Sequence, residues 1–172
     1  MKEVKTILYK FEELDPEVQK KLIEEEKKYQ LEFYEDQCLY DDLYSDSIEL
    51  LTKEFGENKI SNMKLLYDFS YSQGSGLLIE FDLEYKEQYL RIRRDPHNHW
   101  YTFCTNFVIE NDEELGEEEE KEIKTKIAKI NKQVEDLGYA IIEDEKYFKE
   151  EAKEYLLQLD EEFTKEGKYY SF

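Results

Sequence analysis

The chain has little of what covalent or metal staples require. Its 172 residues include two cysteines, Cys38 and Cys104, and two histidines, His97 and His99. The cysteines lie far apart and neither belongs to a Cys-x-x-Cys pair, so neither a disulfide framework nor a thiolate metal site is expected. A reducing cytoplasm is the compartment that fits. The opening Met1-Lys2-Glu3-Val4-Lys5 lacks the apolar core of a secretory signal. No apolar run approaches the roughly 20 residues of a spanning helix. Positive charge is scarce as well: Lys and Arg total 24 against 44 Asp and Glu, a net charge of -20. Such a surface cannot displace counterions from nucleic acid, nor dock on anionic lipid. Direct nucleic-acid binding and membrane binding are therefore not expected.

Aromatic residues, by contrast, are abundant. Fifteen Tyr, ten Phe and one Trp, within 40% hydrophobic composition, supply a core for one domain spanning 1–172. Charge divides that span into three parts. Residues 1–62 carry a net -8, residues 63–109 a net -1, and residues 110–172 a net -11. The middle part alternates with period two. Residues 65, 67, 69 and 71 are apolar or aromatic, and so are 77, 79, 81, 83 and 85, with Glu80, Asp82 and Glu84 between them. Ser72 to Gly76 is expected to turn the chain as a hairpin loop. Further strands are expected at 88–94 and 100–109, joined through a turn at Asp95 to His99, and a short one at 6–9.

The outer parts read as helices. Asp15-Pro16 is an N-cap followed by proline at the first helical position. One helix is predicted from 16 into the low 30s, and a second from there to 55, stopped by Gly56. Ile123, Ile127, Ile130, Val134 and Leu137 form one helical stripe over 121–137, with Gly138 as its C-terminal cap. Tyr155, Leu156, Leu159 and Phe163 predict a last helix ending near Gly167. The fold class is α+β: an antiparallel sheet of about four strands with helices from both ends packed on it.

No constellation in the sequence organises chemistry. His97 and His99 are turn residues. The glycines at 74 and 76 lie between strands, where neither a P-loop nor a dinucleotide fingerprint belongs. No Ser-His-Asp or Cys-His order provides a nucleophile. An enzyme, a cofactor and a metal site are thus not expected. Arg91, Arg93 and Arg94 are read as cross-strand partners of Glu80, Asp82 and Glu84; the alternative is an anchor for an acidic partner.

The order of features resembles a group of small proteins common in bacteriophages and integrated mobile elements, for which no enzymatic role is established. The resemblance rests on Leu14-Asp15-Pro16-Glu17-Val18-Gln19-Lys20-Lys21 and on the Tyr71-Ser72-Gln73-Gly74-Ser75-Gly76 loop. It continues in the basic strand and His-containing turn from Arg91 to His99, and in Phe163-Thr164-Lys165-Glu166-Gly167-Lys168. Where that loop usually continues with Asp-Gly, this chain has Ser75-Gly76. Small acidic phage proteins include inhibitors of CRISPR nucleases, so the resemblance implies an anti-CRISPR context.

Two windows are acidic without relief. Between Lys28 and Lys53 there is no basic residue, and the window holds Glu32, Glu35, Asp36, Asp41, Asp42, Asp46 and Glu49, with Phe33, Tyr34, Tyr40 and Tyr44 interleaved. On one helix Glu35, Asp42, Asp46 and Glu49 would share a face. The second window, 110–120, includes Asp112, Glu113, Glu114, Glu117 and Glu118. Like charges at helical spacing destabilise a helix by a few tenths of a kcal/mol per pair, roughly. Acidic rows on a rigid fold approximate the field of DNA. These residues are therefore the candidate partner-binding site. The expected partner is a basic nucleic-acid-binding protein of the host, first a CRISPR effector nuclease, occluded by a DNA-mimicking decoy. An antitoxin or immunity protein masking a basic toxin would show the same charge. A phage assembly protein would instead leave part of the 121–137 stripe exposed and form a homodimer or larger assembly.

Overall fold

The structure is a computed structural model that describes residues 7–70, 75–97, 106–111, 115–159 and 162–169. After a short 3-10 turn at Phe11–Glu13, its elements are α1 (Pro16–Gln37), α2 (Leu39–Phe55), β1 (Ile60–Asp68), β2 (Gly76–Tyr85), β3 (Gln88–Arg94), β4 (Phe107–Asn111), α3 (Glu117–Ile142) and α4 (Glu145–Gln158). The class is α+β, with an antiparallel sheet in the order β1-β2-β3-β4 and helices flanking it. The backbone groups into two compact units, one of Gln37–Ile141 and one of Met1–Asp36 with Ile142–Phe172.

The first unit holds the sheet. Leu77, Ile79, Phe81 and Leu83 on one face of β2 are fully buried, while Glu80, Asp82 and Glu84 on the other are only partly so. Leu90, Ile92 and Phe107 continue the apolar face across β3 and β4. Two helices contribute to this core. Leu39, Leu43 and Leu51 of α2 are buried, as are Ile123, Ile127, Ile130 and Val134 of α3. Phe55 of α2 meets Phe81 at 6.5 Å between ring centres, and Lys126 of α3 pairs with Glu54 of α2 at 3.1 Å.

The sheet has an internal edge. β3 pairs with β2 only from Phe81 to Tyr85, whereas β1 pairs along Gly76 to Leu83. Among the described residues, no strand pairs in register with Gly76 to Glu80 on the β3 side. Backbone N–H groups buried there without partners would cost about 1–3 kcal/mol each. Two side chains of α3, one turn apart, accept those bonds. Asn131 Oδ1 accepts from the Ile79 N–H at 3.2 Å, and Glu135 Oε2 from the Leu77 N–H at 3.1 Å. Both residues are buried, and Lys132 holds the other Glu135 oxygen at 2.6 Å. One turn further, Gly138 gives room to Phe69. A Cβ at Gly138 would sit 2.3 Å from the Phe69 Cζ. Gly138 is thus an interior helix residue and not the expected cap: α3 continues to Ile142 because the glycine serves a ring contact rather than a turn.

Two backbone irregularities shape the strands. The β1–β2 register shifts between Ser61 and Lys64, where Asn62 takes a positive φ of 51° and donates to Asp82 at 2.6 Å. The β2–β3 hairpin turns through Lys86 and Glu87 at φ 48° and 70°. These are left-handed values that glycine or asparagine adopts more readily.

The second unit is closed by tail packing. Phe11, Leu14, Leu22, Leu156 and Phe163 form its core, with Tyr9, Val18, Ile23 and Leu159 against it. Asp15 caps α1 by accepting from the Glu17 N–H at 3.0 Å. Gln19 Nε2 donates to the carbonyls of Phe11 and Leu14, at 3.1 and 3.0 Å, and holds the preceding turn. Asp144 caps α4 through the Tyr147 N–H at 3.0 Å.

Three further expectations change. The strand expected at 6–9 is instead a single bridge between Tyr9 and Phe163. The last helix stops at Gln158, so Phe163 is buried through that bridge and a second one to Tyr169, and Tyr155 is 46% exposed. Leu137 is 37% exposed and leaves the stripe, because the inward positions beyond Val134 are taken by Glu135 and Gly138. Tyr71 to Gly74, the strand residues 100–105 with Cys104, and the last three aromatic-tail residues, 170–172, lie outside the described residues.

Substitutions at the turn and at the ring contact should act in opposite directions. Glu87→Gly should raise stability by about 1 kcal/mol, measured by urea unfolding, through relief of the left-handed strain. Gly138→Ala should lower it by about 1–3 kcal/mol. A G138A variant as stable as wild type would mean that Phe69 does not press on α3.

Candidate functional site

The acidic window from Glu32 to Glu49 is split by a helix break. Cys38 separates α1 from α2 and has φ -115° and ψ -38°. Each helix buries its own apolar side. Tyr34 of α1 packs edge-on against Phe148, at 5.8 Å, in the unit of α1 and α4. Leu39 and Leu43 are buried in the unit of the sheet. Glu35 therefore belongs to α1 and its unit, whereas Asp42, Asp46 and Glu49 belong to α2, so the four do not lie on one continuous helix. Glu32, Glu35 and Asp36 end α1. Glu32 faces Lys28 at 3.7 Å, and the Glu35 carboxyl is held above its ordinary range by partial desolvation and then by Asp36 and Glu32.

Asp41, Asp42, Asp46 and Glu49 all belong to α2. Asp42, Asp46 and Glu49 follow helical spacing and occupy one flank of it. Among the described residues, no ion pair or hydrogen bond engages the side chains of Asp41, Asp46 or Glu49. The other helices differ. On α1, Lys21 pairs with Glu25 and Lys27 with Glu24; on α3, Lys124 pairs with Glu120 and Lys132 with Asp136; on α4, Lys146 pairs with Glu150. Exposed pairs of this kind contribute only ~0.3–0.5 kcal/mol each, but they neutralise the local field.

Helical phase places the tyrosines elsewhere. Tyr40 and Tyr44 are offset by two residues from Asp42 and Asp46, which is about 200° around the helix. They stack on each other at 5.9 Å, and Tyr40 lies 6.4 Å from Tyr67 of β1. The row continues through Phe69, 5.3 Å from Tyr67 and 4.9 Å from Tyr139 of α3. These rings join α2, β1 and α3. They are not interleaved with the acidic flank, and of the four aromatics in the window only Phe33 (56%) and Tyr40 (38%) are among the more exposed large hydrophobics.

The second window is partly relieved. Glu117 and Glu118 open α3, where the helix dipole favours acids. Glu119 pairs with Lys86 of the β2–β3 turn, and Glu120 with Lys124. Asp112, Glu113 and Glu114 lie outside the described residues, as do Asp160 and Glu161.

The arginines serve the sheet. Arg93 pairs with Asp82 and donates to the Phe81 carbonyl at 2.9 Å, while the Arg94 N–H donates to Glu80 at 2.9 Å. Lys59 pairs with Glu84. The cross-strand reading thus holds for Arg93 and Asp82, whereas Glu80 accepts from the Arg94 backbone and Glu84 is paired by Lys59. Burial opposes ionisation of Asp82, but the bonds from Asn62 and Arg93 outweigh it and hold the carboxyl below its ordinary range. Lys132 is pushed up by Glu135 and Asp136.

No group of three His, Cys, Asp or Glu side chains among the described residues is placed to hold a metal ion. No helix among them is long and apolar enough to cross a membrane. His97 is exposed, and His99 lies outside the described residues. The sequence reading did not single out Lys53, Lys129 and Gln133, which line a groove between α2 and α3. Their only signal was their place outside the apolar stripes of two helices that pack together. Comparison with models of known families, with curated proteins and with solved structures finds no match.

Asp82 sets an acid dependence. Its folded value is depressed, so its contribution is present above the unfolded value and is lost as pH falls through the folded one. Asp82→Asn should be less stable than wild type at neutral pH, and the gap should close at a pH below the ordinary aspartate range. Chemical denaturation across pH measures this; a gap independent of pH would show that the Asp82 charge is not what stabilises the site.

Proposed function

We propose that this chain is a non-enzymatic inhibitor of the kind carried by phages and mobile elements. Its acidic helix occupies a cationic nucleic-acid site on a host protein, first a CRISPR effector nuclease, and keeps DNA out. The observation that carries this reading is the charge on α2. Asp41, Asp46 and Glu49 stand without basic partners among the described residues, on a helix with a single lysine, whereas α1, α3 and α4 each carry several lysines that pair with some of their acids. With Asp42 they place four carboxylates along about 12 Å of helix axis, at 1.5 Å per residue. One strand of DNA carries a phosphate about every 3.4 Å, so the linear charge density is of the same order. A helix backed by a buried core presents these charges without an ordering cost at the moment of binding.

Such a surface steers association and is screened by salt. The role of α2 is stronger than that of the α3 terminus, where Glu119 and Glu120 are paired with lysines. The helix dipole favours Asp41 and Asp42 in the first turn of α2 as it does Glu117 and Glu118 in α3, but not Asp46 or Glu49. Glu32, Glu35 and Asp36, on the other unit, are auxiliary.

The test is competition with DNA. Purified CRISPR effector–guide complexes, taken as a panel, are incubated with target DNA and increasing amounts of the protein, and DNA binding is read by gel shift. At least one effector should lose DNA binding at low salt and regain it at high salt. A variant carrying D41K, D42K, D46K and E49K should keep its fold by circular dichroism and lose inhibition by at least about 100-fold, nearly 3 kcal/mol. Inhibition undiminished in that variant would sink the decoy mechanism, and no effect on any effector would sink the choice of target.

A further inference from the structure

One surface of this acidic protein carries the opposite sign. Between α2 and α3, within the unit of the sheet, lies a groove of about 370 Å³ lined by Leu50, Lys53, Glu54, Lys126, Lys129 and Ile130, with Thr125 and Gln133 beside them. Its volume is at the low end of small-molecule sites, roughly 300–1,000 Å³. The lining carries three ammonium groups and one carboxylate, in a chain of net charge -20. Lys126 is engaged by Glu54 at 3.1 Å and by Glu122 at 3.0 Å. Lys53 and Lys129 have no ion-pair partner among the described residues, and the Gln133 side chain has no hydrogen bond among them. The helix dipole favours a cation at Lys53, in the last turn of α2. No such reason places Lys129 in the middle of α3. Leu50 is half-buried and Ile130 is buried, so the groove combines an apolar lining with cationic and amide donors.

We propose that this groove binds a small organic anion. The carboxylate or phosphate is held by Lys53 and Lys129 with the Gln133 amide, and the apolar body lies on Leu50 and Ile130. Charge complementarity selects the anion: the groove is where an acidic surface gives way to ammonium groups without partners. A neutral apolar molecule would leave both ammonium groups uncompensated. The inference is independent of the decoy reading, because it uses none of the acids of α2 that carry that reading.

The experiment is an amide chemical-shift titration of the full chain with sodium octanoate, octyl phosphate and 1-octanol. At least one of the two anions should give saturable shifts grouped at 50–54 and 125–133, with Kd on the order of 1 mM or tighter. Which anion binds more tightly distinguishes carboxylate from phosphate ligands. The neutral alcohol should not saturate there. Lys53→Glu with Lys129→Glu should weaken binding by about tenfold or more. Lys20→Glu with Lys153→Glu, which changes net charge equally on α1 and α4, should leave it unchanged. If the reversed pair alters the fold, seen directly in the same spectra, Lys53→Gln with Lys129→Gln replaces it with the same expectation. The proposal is overturned by scattered or unsaturable shifts with both anions, by equal binding of octanol, by undiminished binding in the groove variant, or by equal loss in the control.

Discussion

Two hydrogen bonds that α3 side chains accept from a stretch of β2 lacking a β3 partner organise the unit that carries the α2 acids and the groove. β2 pairs with β1 over most of its length but with β3 over only half. The remaining N–H groups of Leu77 and Ile79 are deep in the core, where leaving them unmet is costly. Asn131 and Glu135 take the place of the missing strand. This fixes α3 in both rotation and height. Its isoleucines then face the sheet, Gly138 meets the Phe69 ring, and Lys126 reaches Glu54 of α2. A buried carboxylate is tolerable at this place because Lys132 neutralises it from the solvent side and a backbone donor satisfies it from within.

From that arrangement follows the distribution of charge. α1, α3 and α4 place lysines one turn from several of their glutamates, which offsets part of their negative charge. α2 has one lysine, Lys53, four residues after Glu49 and not paired with it, and its acids lie on a helix anchored by Leu39, Leu43 and Leu51. The repulsion among them is small beside the apolar burial that holds the helix, about 1.5–3 kcal/mol for each fully buried leucine. The fold can therefore carry unrelieved charge on one helix while the neighbouring groove collects lysines.

Period-two alternation in 77–85 and the stripe at Ile123, Ile127, Ile130 and Val134 made the class and most of the core legible, because burial on one face writes itself directly into spacing. Asp15-Pro16 and Gly56 marked helix ends for equally local reasons. What the sequence concealed is long-range. Gly138 looks like a cap until Phe69, far away in the chain, is placed against it. Asn131 and Glu135 look like solvent-facing polar residues until the strand edge is known. The break at Cys38 carries no proline or glycine, so no local residue marks it, and it falls where the chain passes from one compact unit to the other. That break puts Glu35 on a different helix from Asp42, Asp46 and Glu49, and helical phase sets Tyr40 and Tyr44 apart from Asp42 and Asp46. The α2 part of the candidate site was therefore readable as a lack of lysine, whereas the groove beside it required the packing of two helices.

The most direct test of this account is native-state hydrogen exchange at the amides of Leu77 and Ile79. If Asn131 and Glu135 close the sheet edge, both amides should exchange as slowly as that of Phe81, through global unfolding. In Asn131→Ala, the Ile79 amide should lose that protection selectively. Rapid exchange of Leu77 and Ile79 in the wild-type protein would contradict the account, since α3 and the surfaces it sets beside α2 would then lack their anchor.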